Sequence, residues 1–198
     1  MSVVRAHRMP ASVDESAASS WSEQRIAAAL AHQVFIADSV VVVPNCNWTG
    51  HECDLLVVTR HLRVIDVEIK ISRADLRSDA RKDKWYHTWD WLTDGPWDGS
   101  QRGRPREWPR RVWKHYYAMP AAIWVPDLTD VLPSPRSGIL LLRPSDTDHS
   151  GIKVDVHRRA TPCPDAEPIS PGAAIDIARL ASLRMWSALL AASAPQTT

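Results

Sequence analysis

The stretch that decides the fold is residues 51–72, HECDLLVVTRHLRVIDVEIKIS. Residues 51–59 and 62–72 are both rich in Val, Ile and Leu, and only Thr59-Arg60-His61 lies between the two runs, so the pair predicts a β-hairpin. Side chains two apart in a strand share a face, which sends Glu68 and Lys70 the same way. Asp54 joins them only if the turn has an odd number of loop residues, for instance Arg60 to Leu62, which sets Asp54 opposite Glu68. A two-residue loop would pair Asp54 with Val67 and turn its carboxylate away. Val64, Ile65, Val67, Ile69 and Ile71 predict a strand covered on both faces, where an unpaired acid is costly. Three charges in such a strand require a reason.

Metal chemistry supplies one. Two carboxylates a few ångströms apart repel when both are ionised, unless a divalent cation between them favours the charged forms. Oxygen ligands of this kind suit a hard ion such as Mg²⁺ or Mn²⁺. A bound metal lowers the pKa of its water and polarises a phosphoryl oxygen, while a nearby ammonium neutralises developing charge. On this reading Asp54 and Glu68 hold metal and Lys70 serves the transition state. The bland alternative is a set of hairpin charges facing solvent and paired across the strands.

The order of helix, three strands carrying D…ExK, helix and strand resembles the PD-(D/E)xK nuclease superfamily. Glu68-Ile69-Lys70-Ile71-Ser72-Arg73-Ala74-Asp75-Leu76 resembles a narrower group of small phage and bacterial proteins, relatives of the MmcB-type DNA-repair proteins, with an E-[IV]-K-x-S-x-x-D-[FL] stretch. Tyr116-Tyr117-Ala118-Met119-Pro120 matches that group's later strand, which ends in an aromatic pair and a proline, and Gly138 to Leu142 supplies a further apolar strand. The likeness spans about residues 20 to 160 and implies an α/β, restriction-endonuclease-like mixed sheet (αβββαβ) flanked by helices. It implies metal-dependent cleavage of nucleic acid, although members without activity share the scaffold.

The resemblance also calls for an acid on the first helix. Glu23 is the candidate, as a further metal and catalytic residue: Ile26, Ala27 and Leu30 follow it at helical spacing and set it on a buried-looking face. Ser20-Trp21-Ser22-Glu23 equally fits a capping box, in which Glu23 reaches back to the helix start. The first acid lacks the proline that gives the superfamily motif its name, and Glu52 is a rival to Asp54 if the register shifts.

At 198 residues and 22.2 kDa the chain has the size of one domain, here read as residues 20–192 with flexible tails at 1–19 and 193–198. No apolar run approaches the ~18 residues of a membrane helix and no leader pattern opens the chain, so a cytoplasmic protein is expected. Cys46, Cys53 and Cys163 form no disulfide framework. A zinc site drawn from Cys46, His51, Cys53 and His61 matches no common spacing, and His61 falls in the turn.

The net charge is only +1, but its distribution is uneven. Residues 101–114, QRGRPREWPRRVWK, set Arg102, Arg104, Arg106, Arg110, Arg111 and Lys114 against the single acid Glu107. Polyphosphate binding follows local potential, so this reads as a DNA-binding arm. It belongs to an insertion at about 85–113 that holds six of the ten tryptophans, Trp85, Trp89, Trp91, Trp97, Trp108 and Trp113. These rings suit stacking on bases, or a cluster that anchors the loop with arginines laid on its rings. After the ExK strand, Ser72 and Asp75 form a capping pair for a helix whose first turn offers Arg73 and Arg77 to phosphate. Intrahelical pairing of its arginines with Asp75, Asp79 and Asp83 is the competing account. Asp75 also stands as a candidate support for Lys70.

Strands are further expected at Val34 to Val43, Lys114 to Met119, Gly138 to Arg143 and Ile152 to Arg158. A last helix starting at Ser170-Pro171 would offer Ile175, Ala178, Leu183, Trp186 and Leu190 to the sheet or to a partner subunit. The favoured reading is a Mg²⁺- or Mn²⁺-dependent endonuclease acting on DNA, with repair, recombination and phage settings all compatible. Pairing of two chains in a homodimer is left open. A non-catalytic DNA binder, or an interaction module using the tryptophan-rich insertion, are the alternatives.

Overall fold

The computed structural model describes residues 21–88, 90–95 and 102–193. Six strands form one mixed sheet in chain order: β1 (Ser39–Cys46), β2 (Cys53–Thr59), β3 (Val64–Ile69), β4 (Lys114–Pro120), β5 (Gly138–Pro144) and β6 (Ile152–Arg158). Its two outer steps on the β1 side are antiparallel, β3–β4 and β4–β5 are parallel, and β5–β6 is antiparallel. Helices α1 (Glu23–Leu30), α2 (Arg73–Asp79), α3 (Trp91–Asp94) and α4 (Pro171–Ser193) complete the order of elements. The class is therefore α/β.

The hairpin turns through Arg60–Leu62, because Thr59 N–H donates to Arg63 O and the register runs Val58↔Val64 to Leu55↔Val67. Leu62 takes φ +56°, the left-handed third residue that a three-residue hairpin loop requires. The odd loop expected from the sequence is thus the one found, and one further step of the register sets Asp54 opposite Glu68.

Alternation along the strands gives the sheet two different faces. Leu55, Val57, Val67, Ile69, Tyr116, Ala118, Leu140 and Leu142 form a continuous apolar layer with Ile26, Ala29 and Leu30 of α1. The opposite face is split: Leu56, Val58 and Val64 meet Ala174 and Ile177 of α4, while Tyr117, Met119, Ile139 and Leu141 meet Leu76, Trp85 and Leu128. Strand β3 runs between these two patches, and its side chains there, beyond Val64, are Asp66 and Glu68. A polar seam thus crosses an apolar face, and every atom in it must find its partner within the protein.

Two expectations are corrected. The first strand starts at Ser39, not Val34, because α1 continues through a π turn at Ala31–Phe35 and a 3₁₀ turn at Ile36–Asp38. That continuation carries Phe35 into the core, edge-on to Tyr116 at 6.1 Å. On α4 the covering residues are Ala174 and Ile177, with Leu180 and Ala181 beside them, whereas Ile175, Ala178, Leu183, Trp186 and Leu190 are exposed. Only the first half of the helix meets the sheet, so among the described residues the apolar stripe drawn over its full length is not covered by the sheet. Residues 1–19 and 194–198 of the expected tails lie outside the described residues, and Ser193 ends α4. No helix among the described residues is long and apolar enough to cross a membrane.

Candidate active site

Strand β2 parts from β3 at its first residues, and Asp54 closes the gap: its Oδ2 accepts the Ile69 N–H at 2.7 Å, a bond that the backbone ladder would otherwise supply. Lys70, directly after β3, is buried and points its Nζ between acids, 2.6 Å from Glu68 Oε2, 3.3 Å from Asp79 Oδ1 and 3.9 Å from Asp54 Oδ2. The structure therefore brings Asp54, Glu68 and Lys70 together, as their spacing predicted.

Two more ammonium groups converge on the seam. Lys84 Nζ lies 2.5 Å from Glu68 Oε1 and 3.4 Å from Asp66 Oδ2, and Lys82 Nζ lies 3.0 Å from Glu68 Oε2 and 2.8 Å from Asp79 Oδ1. Lys82 is 45% exposed at its side chain, while Lys70 and Lys84 are enclosed. Asp79 also accepts the Tyr117 hydroxyl at 2.6 Å and the Trp85 indole N–H at 3.1 Å. Four carboxylates thus face three ammoniums.

The electrostatics divide these acids. Burial alone would raise Glu68, Asp66 and Asp79, but Lys84 foremost, joined by Lys70 at Glu68, by His51 and His115 at Asp66, and by Lys70 and Lys82 at Asp79, holds all three below the usual carboxylate range. Asp54 goes the other way: burial and the charge of Glu68 push it up to about 6, against the Ile69 N–H and the lysines. Lys82 and Lys84 are raised despite burial, by Asp79 in the first case and Asp66 in the second, so both stay charged. Burial beside Lys84 pushes His115 down to about 4 and keeps it neutral.

Glu23 is not part of this group. It is exposed at the start of α1, on the sheet face opposite Glu68, and among the described residues no ion pair or hydrogen bond links it to Asp54 or Glu68. The N-cap is Ser22, which accepts the Arg25 N–H at 3.3 Å and makes Glu23 the first residue of the helix, while Ser20 of the expected capping box lies outside the described residues. Glu52 is exposed and takes no part. Asp75 forms the expected cap with Ser72 at 3.1 Å, and it is Asp79, one turn on, that supports Lys70.

The basic residues fall into separate places. Arg73 and Arg77 lie exposed on α2 just past Lys70, Arg73 donating to Ile123 O at 2.8 Å. Lys114 pairs with Ile65, at the end of β3 remote from Lys70, roughly 16 Å away for five residues of strand. It stacks over Trp113 at 4.3 Å, as Arg111 does over Trp48 at 5.4 Å and Arg102 over Tyr86 at 5.0 Å, while Arg104 pairs with Asp94 at 3.3 Å. Arg110 and Arg111 line an open cavity of about 810 Å³ with Trp48 and Trp108. Among the described residues several of the arm's cations lie over aromatic rings, and Trp85 is buried in the core. Trp89, Trp97 and the side chain of Trp91 lie outside the described residues.

Sequence reasoning passed over Asp66, Lys82, Lys84 and His115, and it named Asp79 only as a surface pairing partner and His51 only for a zinc site with Cys46, Cys53 and His61. For Asp66 the signal was available, since it alternates with Glu68 on one strand face. For Asp79 it was the spacing from Leu76, on the inner stripe of α2.

No protein-family model matches the chain, and no curated protein matches it. A solved structure, the SPO1766 protein of unknown function from Silicibacter pomeroyi, is similar at 18% identity and a TM-score of 0.50, covering 89% of this chain and 94% of that one. That likeness is one of fold.

Proposed function

We propose that the chain is a metal-dependent deoxyribonuclease on a restriction-endonuclease-like core of the PD-(D/E)xK type, hydrolysing DNA phosphodiester bonds with Mg²⁺ or Mn²⁺. The observation that carries this reading is that the Asp54 and Glu68 carboxylates, brought together across β2 and β3, both lie within 4 Å of Lys70 Nζ. The residues fit a hard divalent ion: burial and the neighbouring Glu68 charge raise Asp54 to about 6, and no described donor bonds its Oδ1. When bound, the ion supplies Lewis acidity and a water of lowered pKa.

Asp54 and Glu68 hold the ion, Lys70 orients the attacking water and offsets charge gathering on the phosphate, and Ile69 N–H fixes the Asp54 rotamer. Lys82 is the ammonium with a path to solvent, so swinging it outward removes one of the two ammoniums on Glu68 Oε2 and leaves Lys70 and Lys84 in place. Arg73 and Arg77, exposed beyond Lys70, take the flanking phosphates.

The test is a nicking assay on supercoiled and branched DNA with Mg²⁺, Mn²⁺ or chelator, comparing the parent with Asp54→Asn and Glu68→Gln of verified fold. Cleavage by the parent that needs metal and is lost in both variants supports the reading; cleavage at the parental rate in Asp54→Asn sinks it. A second reading, a non-catalytic DNA-binding scaffold, is favoured by one observation: Lys84 is buried and held 2.5 Å from Glu68 Oε1. Salt-sensitive DNA binding without cleavage under any metal identifies that case.

A further inference from the structure

Beside the lysine-filled part of the seam lies a group of different chemistry. His51, Cys53 and Asp66 each offer one ligand atom, and these atoms lie within 4.8 Å of one another. They come from three separate elements: His51 from the loop before β2, Cys53 from the first position of β2, and Asp66 from the middle of β3. His115, the β4 partner of Asp66 in the sheet register, turns its Nε2 to 3.8 Å from Asp66 Oδ2. An imidazole, a thiol, a carboxylate and a second imidazole make up a donor set for a borderline-soft ion, and hard Mg²⁺ has no preference for it.

The second observation is what this group leaves unmatched. Asp66 Oδ1 and His115 Nε2 are fully enclosed, and neither has a hydrogen-bond partner. The Asp66–His51 bond at 3.1 Å uses the other carboxylate oxygen, and Ser137 Oγ, 2.9 Å away, occupies His115 Nδ1. A ring held through Nδ1 by a hydroxyl, with Nε2 left bare toward a carboxylate, has the outer-shell arrangement of a metal-ligating histidine. Thr49 Oγ1 plays a related part on the other side, 3.3 Å from both ring nitrogens of His51 and 3.5 Å from Cys53 Sγ. Trp85 and Tyr117 meet the His115 ring edge-on at 4.8 and 4.7 Å and fix its plane.

We infer that His51, Cys53, Asp66 and His115 form a structural Zn²⁺ site, separate from the Asp54–Glu68 pair. Donors around tetrahedral zinc stand roughly 3.3–3.8 Å apart, so the His51, Cys53 and Asp66 atoms close by about 1 Å on binding, and His115 Nε2 moves in from outside that group, beside Asp66 Oδ2. The site pins β2, β3, β4 and the loop before β2 together beneath Glu68.

The experiment is metal analysis of the untagged full chain, purified without chelator, followed by exchange with Co²⁺ and absorption spectroscopy. About one zinc per chain is expected, with a thiolate-to-cobalt charge-transfer band in the exchanged protein. Cys53→Ser and His51→Gln should each lose that band and hold zinc at least about tenfold more weakly, whereas Cys163→Ser keeps both. His51 is the one partly exposed ligand, so its glutamine variant keeps the test decisive should Cys53→Ser not fold. A folded parent with neither zinc nor a cobalt band overturns the inference, as does a band that survives Cys53→Ser. Asp54→Asn, which abolishes cleavage on the nuclease reading, leaves zinc content unchanged, so the two proposals stand or fall separately.

Discussion

Asp54 is the residue on which function and stability pull apart. Its pKa of about 6 lies above the ~3.9 of an unfolded aspartate. The folded state therefore binds more protons between those values, and stability attached to this group is present below pH 4 and lost as pH rises through 6. Asparagine keeps the acceptor for Ile69 N–H and removes the charge. Asp54→Asn is accordingly expected to match the parent near pH 4.5 and to exceed it by about 1 kcal/mol at pH 7.5, a gain moderated by the side chain's partial exposure, while cleavage disappears. Thermal unfolding across that pH range checks this. A variant less stable than the parent at pH 7.5 would show that the Asp54 charge supports the fold, and the case for its being held ready for a metal would fail.

At the scale of elements, the insertion hangs on one ring. Trp85 is buried, donates its indole N–H to Asp79 Oδ2 and meets His115 edge-on, and the two legs beside it are tied by His87 N–H to Arg104 O and Arg106 N–H to Trp85 O. Trp85→Phe should cost about 1–3 kcal/mol in urea unfolding, the penalty for Asp79 losing a donor inside the core, although Tyr117 keeps its bond to the same oxygen. Trp108→Phe, near the surface with its N–H on Thr161 O, should stay within about 0.5 kcal/mol. Equal losses would mean that the arm, and not its buried anchor, carries the packing. The hairpin was legible in the sequence because two apolar runs flank a turn whose length alone decides the face of Asp54. Lys82 and Lys84 were not, because α2 ends at Asp79 and the turn at 83–85 folds the chain back over β3. Local periodicity carries no information about where such a turn is aimed. Asp79 was hidden by its own neighbours, since Asp75, Asp79 and Asp83 among arginines read as surface pairs until Leu76 and Asp79 are seen to share the inner side.

Across the whole molecule, the second half of α4 is tied to the body of the protein by Arg184 donating to Asn45 O at 2.7 Å, while among the described residues Trp186, Leu189 and Leu190 are exposed. A chain ending at Met185 should therefore melt within about 2 °C of the parent, and a larger drop would mean that those side chains are covered in solution. The deeper dependence is on the charge seam. Asp66, Glu68 and Asp79 are held ionised below the usual range chiefly by Lys84, so their stabilising effect is present above pH ~4 and is lost as pH falls toward their folded values. Lys84→Met keeps the length and apolar stem of the side chain but strips the ammonium from Asp66 and Glu68. Breaking an enclosed ion pair from one side costs about 3–5 kcal/mol, and that loss is expected in urea unfolding at pH 7. As pH falls toward 4.5 the stranded carboxylates take up protons in the variant before they do in the parent, so the difference between the two proteins should shrink. A penalty of the same size at both pH values would mean that Lys84 acts through packing alone. In that case the seam would not be the electrostatic unit that the distances from its Nζ describe.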